Sequence, residues 1–243
     1  MKHMQIEENI IKRFKETITK EKDLLDKKLT KDTELEVYIK AIYLGYLDAC
    51  RTFNGQSKVK KDHKEIKVLA EEIKKYIDED GSGFFFDDYC KKLTDKYNMT
   101  FGQAQKIVNM AFKYLYCLAE DSIKDKFDCC HMPLDGIMLE WISENCEDVE
   151  RSKIGKWSKL EKGSENEKED KNGLYTYAFY KNVICEYCEN FKIYPLQLDF
   201  ENWVSMSQKI AAREYLKNFN EKEKKEDIPC TLIRESMDRF EYR

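Results

Sequence analysis

Apolar residues recur along this chain at the three- and four-residue spacing of helices and rarely at the two-residue spacing of strands. Residues 5–28 carry Ile6, Ile10, Ile11, Phe14, Ile18, Leu24 and Leu25 among lysines and glutamates, which predicts a surface helix laid against something larger. Thr33 and Glu36 have the spacing of a capping box. The pattern from there to about residue 53 is apolar almost all round, as in a central helix. A polar stretch at 54–64, with Asn54-Gly55 as a helix stop, separates it from an amphipathic helix marked by Ile66, Leu69, Ala70, Ile73 and Ile77. Another helix is predicted over about 85–97.

The best-formed segment runs over 100–142. Thr100 and Gln103 form a second capping box, and Ala104, Ile107, Val108, Ala111, Phe112, Leu115 and Leu118 repeat as one buried stripe. Gln105, Lys106, Asn109 and Lys113 fall toward the opposite side, so the chemistry of this helix is expected there or at its N-terminus, where free N–H groups favour anions. Pro133-Leu134-Asp135 then opens a further apolar helix. Residues 159–173 have almost no apolar side chains and are expected to form a mobile loop, with Trp157 as its anchor. An aromatic-rich helix follows over 174–191, and another starts at Pro195, with Trp203, Val204, Ile210, Ala211 and Tyr215 on its face. A charged linker from about residue 220 and a last short helix close the chain.

Composition turns this pattern into a fold class. With 9 Gly and 3 Pro in 243 residues, tight hairpins have little to work with, and an all-α, irregular multi-helix bundle of about eight to ten helices is expected. Residues 1–243 are read as a single helical domain, with 54–64 as the place where it would divide. Lys and Arg total 43 against 47 Asp and Glu, a net charge of −4. No overall positive field therefore draws in nucleic acid or an anionic membrane, and any such binding needs a local patch. No apolar run approaches the roughly 20 residues of a membrane-spanning helix. Nine scattered cysteines fit free thiols in a reducing, cytoplasmic setting.

Several motifs bear on chemistry. Asp78, Asp80, Ser82 and Gly83 match the start of a calcium-binding EF-hand loop, but Tyr89 stands where the closing glutamate should be. Cys185 and Cys188 share a helix face, and with Cys129, Cys130 and His131 would suffice in number for zinc. A second CxxC pair is missing, and ligands of structural zinc usually sit on loops, so buried cysteines are the better reading. The short basic cluster Lys58, Lys60, Lys61 and Lys64 is read as solvated surface. No P-loop, dinucleotide fingerprint or nucleophile elbow occurs, so no cofactor and no metal are expected.

One constellation stands apart. Lys106 lies near the start of a capped helix, and Asp135 follows a proline at the start of another. Gly102-Gln103-Ala104-Gln105-Lys106 with Pro133-Leu134-Asp135 resembles the helix-hairpin-helix DNA glycosylases, over about a sixth of the chain. In that family a Gly-x-x-x-Lys helix start precedes a Pro-Val-Asp-like segment. The family's Leu-Pro-Gly hairpin is replaced here by Tyr97-Asn98-Met99-Thr100-Phe101-Gly102, and 119–130 is an insertion. The resemblance implies base excision, with Lys106 as the amine that attacks the sugar carbon and Asp135 as the assisting carboxylate. The plain alternative is a surface lysine and an N-cap aspartate.

Two function classes result. The absence of catalytic signatures favours an intracellular helical interaction or regulatory protein that binds a macromolecular partner, protein or nucleic acid, through an aromatic-rich surface. The alternative is a nucleic-acid-processing enzyme of the glycosylase/lyase type, with Lys106 and Asp135 catalytic and Gln103, Gln105, Asn109 and Lys113 as binding residues. The distance between Lys106 and Asp135 discriminates between them.

Overall fold

A computed structural model of the chain describes residues 4–18, 22–50, 64–79 and 86–226. Among these it contains nine α-helices, three short 3-10 helices and no strand, an all-α bundle as expected. The chain falls into two compact units, Met1–Val204 and Ser205–Arg243. The 54–64 linker, apart from Lys64, lies outside the described residues, as do Asp80, Ser82 and Gly83 of the EF-hand-like loop and most of the basic cluster.

The first unit is assembled around α6 (Phe101–Leu118), in which every residue from Gly102 to Leu118 is buried. This overturns the expectation of a polar outer face, since the helix has neighbours all round. Its tightest neighbour is α3 (Leu35–Ala49). A Cβ on Gly45 would stand 2.5 Å from the carbonyl oxygen of Ile107, so the two backbones approach as only glycine permits. α4 (Lys64–Asp78) packs on α3 through Ile66, Leu69, Ala70, Ile73 and Ile77, as its sequence stripe requires, and α5 (Phe86–Tyr97) packs on α6.

At the C-terminal end of α6 the carbonyl of Leu118 accepts the N–H of Leu29 at 2.7 Å, so a distant loop satisfies one of the helix's orphan carbonyls. Edge-to-face pairs of Phe127 with Phe112 and Tyr116 fill the space beneath it.

Two local expectations change, and the 159–173 segment has a defined set of backbone bonds. Residues 5–28 form two helices, α1 (Glu8–Thr17) and α2 (Lys22–Leu25), because the chain turns extended at Ile18. Thr33 does not cap α3; Glu34 holds that position without a side-chain bond, while Thr33 Oγ1 accepts the Thr30 N–H at 2.7 Å and closes a local turn. The 159–173 segment is held by backbone bonds from Tyr177 and Ala178 to the carbonyls of Glu161 and Lys162, and from Thr176 to that of Lys168. Polar residues there exchange apolar anchoring for hydrogen bonds.

α7 (Gly136–Asn145), α8 (Tyr177–Phe191) and the beginning of α9 (Pro195–Glu226) complete the first unit. Thr176 caps α8 through the Phe179 N–H, and Pro195, with its fixed φ, opens α9. In the second unit the stretch expected as a charged linker is helical through Glu226. Tyr215, Leu216 and Phe219 are exposed there. None of the eight described cysteines is paired, and no described helix is long and apolar enough to cross a membrane.

Candidate functional site

The site is built on the first turns of α6. The capping box forms as its sequence predicts: Thr100 Oγ1 accepts the Gln103 N–H at 3.2 Å, and Gln103 Oε1 accepts the Thr100 N–H at 3.1 Å. The Gln103 N–H and Oε1 are thereby engaged in the cap.

Gln105 makes four hydrogen bonds. Its Nε2 donates to the carbonyls of Gly102 (2.9 Å) and Leu134 (2.7 Å), while its Oε1 accepts from Asn109 Nδ2 (3.0 Å) and from the Leu134 N–H (3.1 Å). That is the full capacity of an amide. Asn109 Nδ2 donates also to the Met132 carbonyl at 3.1 Å. These two side chains clamp the backbone of 132–134 onto the helix, and they fix where the next residue, Asp135, must lie. Both are among the binding residues expected from the sequence, and in the fold their side chains hold the 132–134 backbone.

Asp135 is the N-cap of α7, its Oδ1 accepting from the Ile137 and Met138 N–H groups at 3.0 Å each. That fixes the carboxylate plane and leaves Oδ2 facing α6. Oδ2 lies 3.3 Å from Lys106 Nζ and 3.2 Å from Trp203 Nε1, which donates to it. The two residues whose separation was the open question are thus in contact, and both are buried, at 7% and 8% side-chain exposure. The ring of Trp157 covers the ammonium at 4.6 Å.

Two turns along the same face, Lys113 Nζ lies 2.5 Å from Asp199 Oδ2, an ion pair with side-chain exposures of 1% and 0%. Phe14 (4.1 Å), Phe200 (4.9 Å) and Trp203 (5.5 Å) surround the ammonium and replace its water with π-faces. Burial pushes the Asp199 carboxyl up to about 6, against the pull of Lys113, and Asp199 Oδ1 has no hydrogen-bond partner among the described residues. Trp203 bridges the pairs, bonding one carboxylate and facing the other cation.

A cavity of about 370 Å³ opens against this face, and Lys106, Lys113, Asp135 and Trp203 all border it. Its wall also carries Phe14 stacked on Tyr114, whose hydroxyl donates a hydrogen bond to Asp48. The arrangement offers an amine and a carboxylate in contact at the edge of a sheltered volume with aromatic walls.

Sequence reading missed Asp199, Trp203, Asp48 and Tyr114. Asp199 did leave a signal: it lies on the same helical face as Leu196, Phe200 and Trp203, where an unpaired charge would be costly. The proposed metal ligands are not brought together. Among the described residues no three His, Cys, Asp or Glu side chains converge as a metal cluster. Comparison with family models, with curated proteins and with solved structures returned no match.

Proposed function

We propose that this chain is a nucleic-acid-processing enzyme of the DNA glycosylase/lyase type, with Lys106 as nucleophile and Asp135 as its partner. The observation that supports this reading is the 3.3 Å approach of Lys106 Nζ to Asp135 Oδ2 beside a cavity of about 370 Å³. The amine must give up a proton before it can attack, and Asp135 Oδ2 is the carboxylate oxygen within reach. The freed lone pair then bonds to the sugar carbon C1′. The glycosidic C–N bond breaks, and its electron pair leaves with the base, which takes up a proton. As the sugar ring opens at O4′, that oxygen takes up a proton and the new C–N bond becomes an iminium link. The protein supplies no reductant; borohydride added in the assay below would reduce this link to a stable amine. Trp157, over Nζ, keeps bulk water from the link, and the α7 cap holds Asp135 in register.

Borohydride trapping on duplexes containing damaged or abasic sites tests the reading. The expected result is a covalent protein–DNA species for the native chain and, per folded molecule, for Lys113→Gln, and none for folded Lys106→Gln. No trapped species across such a panel, or one that survives Lys106→Gln, overturns it.

A second reading, binding of a macromolecular partner through aromatic surface, draws support from the second unit. Tyr215, Leu216 and Phe219 are 68%, 47% and 40% exposed there. Replacing all three by serine would abolish capture of such a partner and leave trapping untouched.

A further inference from the structure

We infer that the groove bordered by residues 154–159 is a seat for a nucleic-acid backbone, delivering a strand to Lys106 from the other side of Trp157; this rests on the glycosylase/lyase reading. The groove, of about 600 Å³, is bordered by Gly136, Glu140, Gly155, Lys156, Trp157 and Lys159. Trp157 also stands over Lys106 Nζ. One aromatic ring therefore separates whatever lies in the groove from the reactive amine.

Charge decides what the groove can hold. Its segment of the chain is rich in cations, but most are neutralised internally. Arg151 pairs with Glu140, Lys153 with Glu150 and Glu169, and Lys162 with Asp87. Lys156 and Lys159 are exposed and have no ion-pair partner among the described residues. The groove's own acid, Glu140, is already occupied by Arg151. On a chain of net charge −4, Lys156 and Lys159 are two cations without a neutralising partner among the described residues, on the border of the groove where the proposed reaction would need a phosphate backbone.

The segment is also held rigidly. Leu160 accepts the Gly102 N–H at 3.0 Å, and Ser158 accepts from Thr100 Oγ1 at 2.7 Å. A Cβ on Gly102 would stand 1.9 Å from the Trp157 carbonyl oxygen, so the segment lies directly on the N-terminal turn of α6. That helix end adds positive potential beneath the groove. The indole of Trp157, between two free lysines, is a face on which a base can stack.

The test is fluorescence anisotropy of an undamaged duplex with the full chain as a function of salt, comparing Lys156→Glu/Lys159→Glu with Lys27→Glu/Lys31→Glu, an equal charge change at exposed lysines elsewhere. The groove variant is expected to bind on the order of 10- to 100-fold more weakly near 100 mM salt, with a log–log salt slope shallower by about two. The control should change less than about threefold. Lys156→Gln/Lys159→Gln repeats the loss without adding repulsion, and circular dichroism checks folding. Absence of duplex binding by the native chain, an equal loss in the control, or competition by polyglutamate as strong as by DNA overturns the inference. The two readings fail separately. Trapping at Lys106 with duplex affinity insensitive to the groove lysines removes the groove alone, whereas groove-dependent binding without a trapped adduct removes the reaction alone.

Discussion

Replacing Gln105 by leucine probes the link that holds the two halves of the site together. The leucine fills much of the same space but removes four hydrogen bonds, two of them the partners of the Leu134 N–H and carbonyl. Leu134 is 1% exposed, so water cannot replace those partners in place. Each buried backbone group left unpaired costs about 1–3 kcal/mol, and the apolar replacement returns part of that. A net loss of about 2–5 kcal/mol follows. In a chain of this size each kcal/mol moves the melting temperature by about 2–4 °C, so a fall of roughly 4–20 °C is expected. Urea denaturation followed by circular dichroism should show a lower midpoint at unchanged slope. Because Asp135 follows Leu134 directly, any Lys106 adduct should fall by more than the loss of folded protein explains. A destabilisation below about 1 kcal/mol would refute the clamp, since Leu134 would then have partners the geometry does not provide.

Three further outcomes are expected. Lys113→Met or Asp199→Leu alone should each cost about 3–5 kcal/mol by stranding a buried charge, while the double variant recovers much of that loss; additive losses in denaturation would show that the pair is not coupled. Burial beside Phe86 and Tyr177 holds the His131 imidazole down at about 4, with Lys181 adding to the effect. Its unfolded value is near 6.5, so the unfolded chain binds more protons between those limits. The contribution is therefore present above pH 6.5 and lost as pH falls through about 4, worth up to about 3 kcal/mol at 1.4 per pH unit. His131→Phe should flatten that part of the stability–pH curve, and an unchanged acid slope would count against it. Hydrogen bonding with Cys130 and Tyr76 brings the exposed Cys129 thiol down to about 6, so iodoacetamide should modify Cys129 first at pH 7, and Tyr76→Phe should slow it; equal rates at Cys129 and Cys146 by peptide mass mapping would contradict this.

How far the sequence spoke depended on whether the determining interaction was local. The capping box at Thr100 and Gln103 and the apolar stripes of α4 and α6 lie within a few residues of one another, and they appear in the fold as the spacing implies. Asp135 as an N-cap was likewise legible from the proline before it and the apolar run after it. The polar side of α6 was not, because its burial depends on elements far along the chain: the 132–134 backbone, Trp157, and the start of α9. A lysine on a helix reads as solvated unless its partner is known, and Asp199 is more than eighty residues from Lys113. Thr33 and Glu36 failed for a related reason, since a threonine two or three residues from a helix start has a turn to cap as well.

The two buried lysines of α6 differ in a way that, on the proposed function, gives them different work. Both face the same cavity, and both are paired with an aspartate and covered by indole or phenyl rings. Lys113 is enclosed by three rings and is 1% exposed, so an incoming carbon would have to displace part of the core to reach it. Lys106 has the single ring of Trp157 over it and somewhat more exposure, and its carboxylate is held from behind by the first turn of α7 rather than by the ammonium alone. Withdrawing Lys106 from that pair leaves Asp135 with two backbone donors and the Trp203 N–H, whereas withdrawing Lys113 leaves Asp199 buried without a hydrogen bond. The free-energy cost of releasing the amine is therefore lower at Lys106. An electrophile entering the cavity should find Lys106 and not Lys113, which is why the two glutamine variants are expected to part so sharply in the trapping experiment.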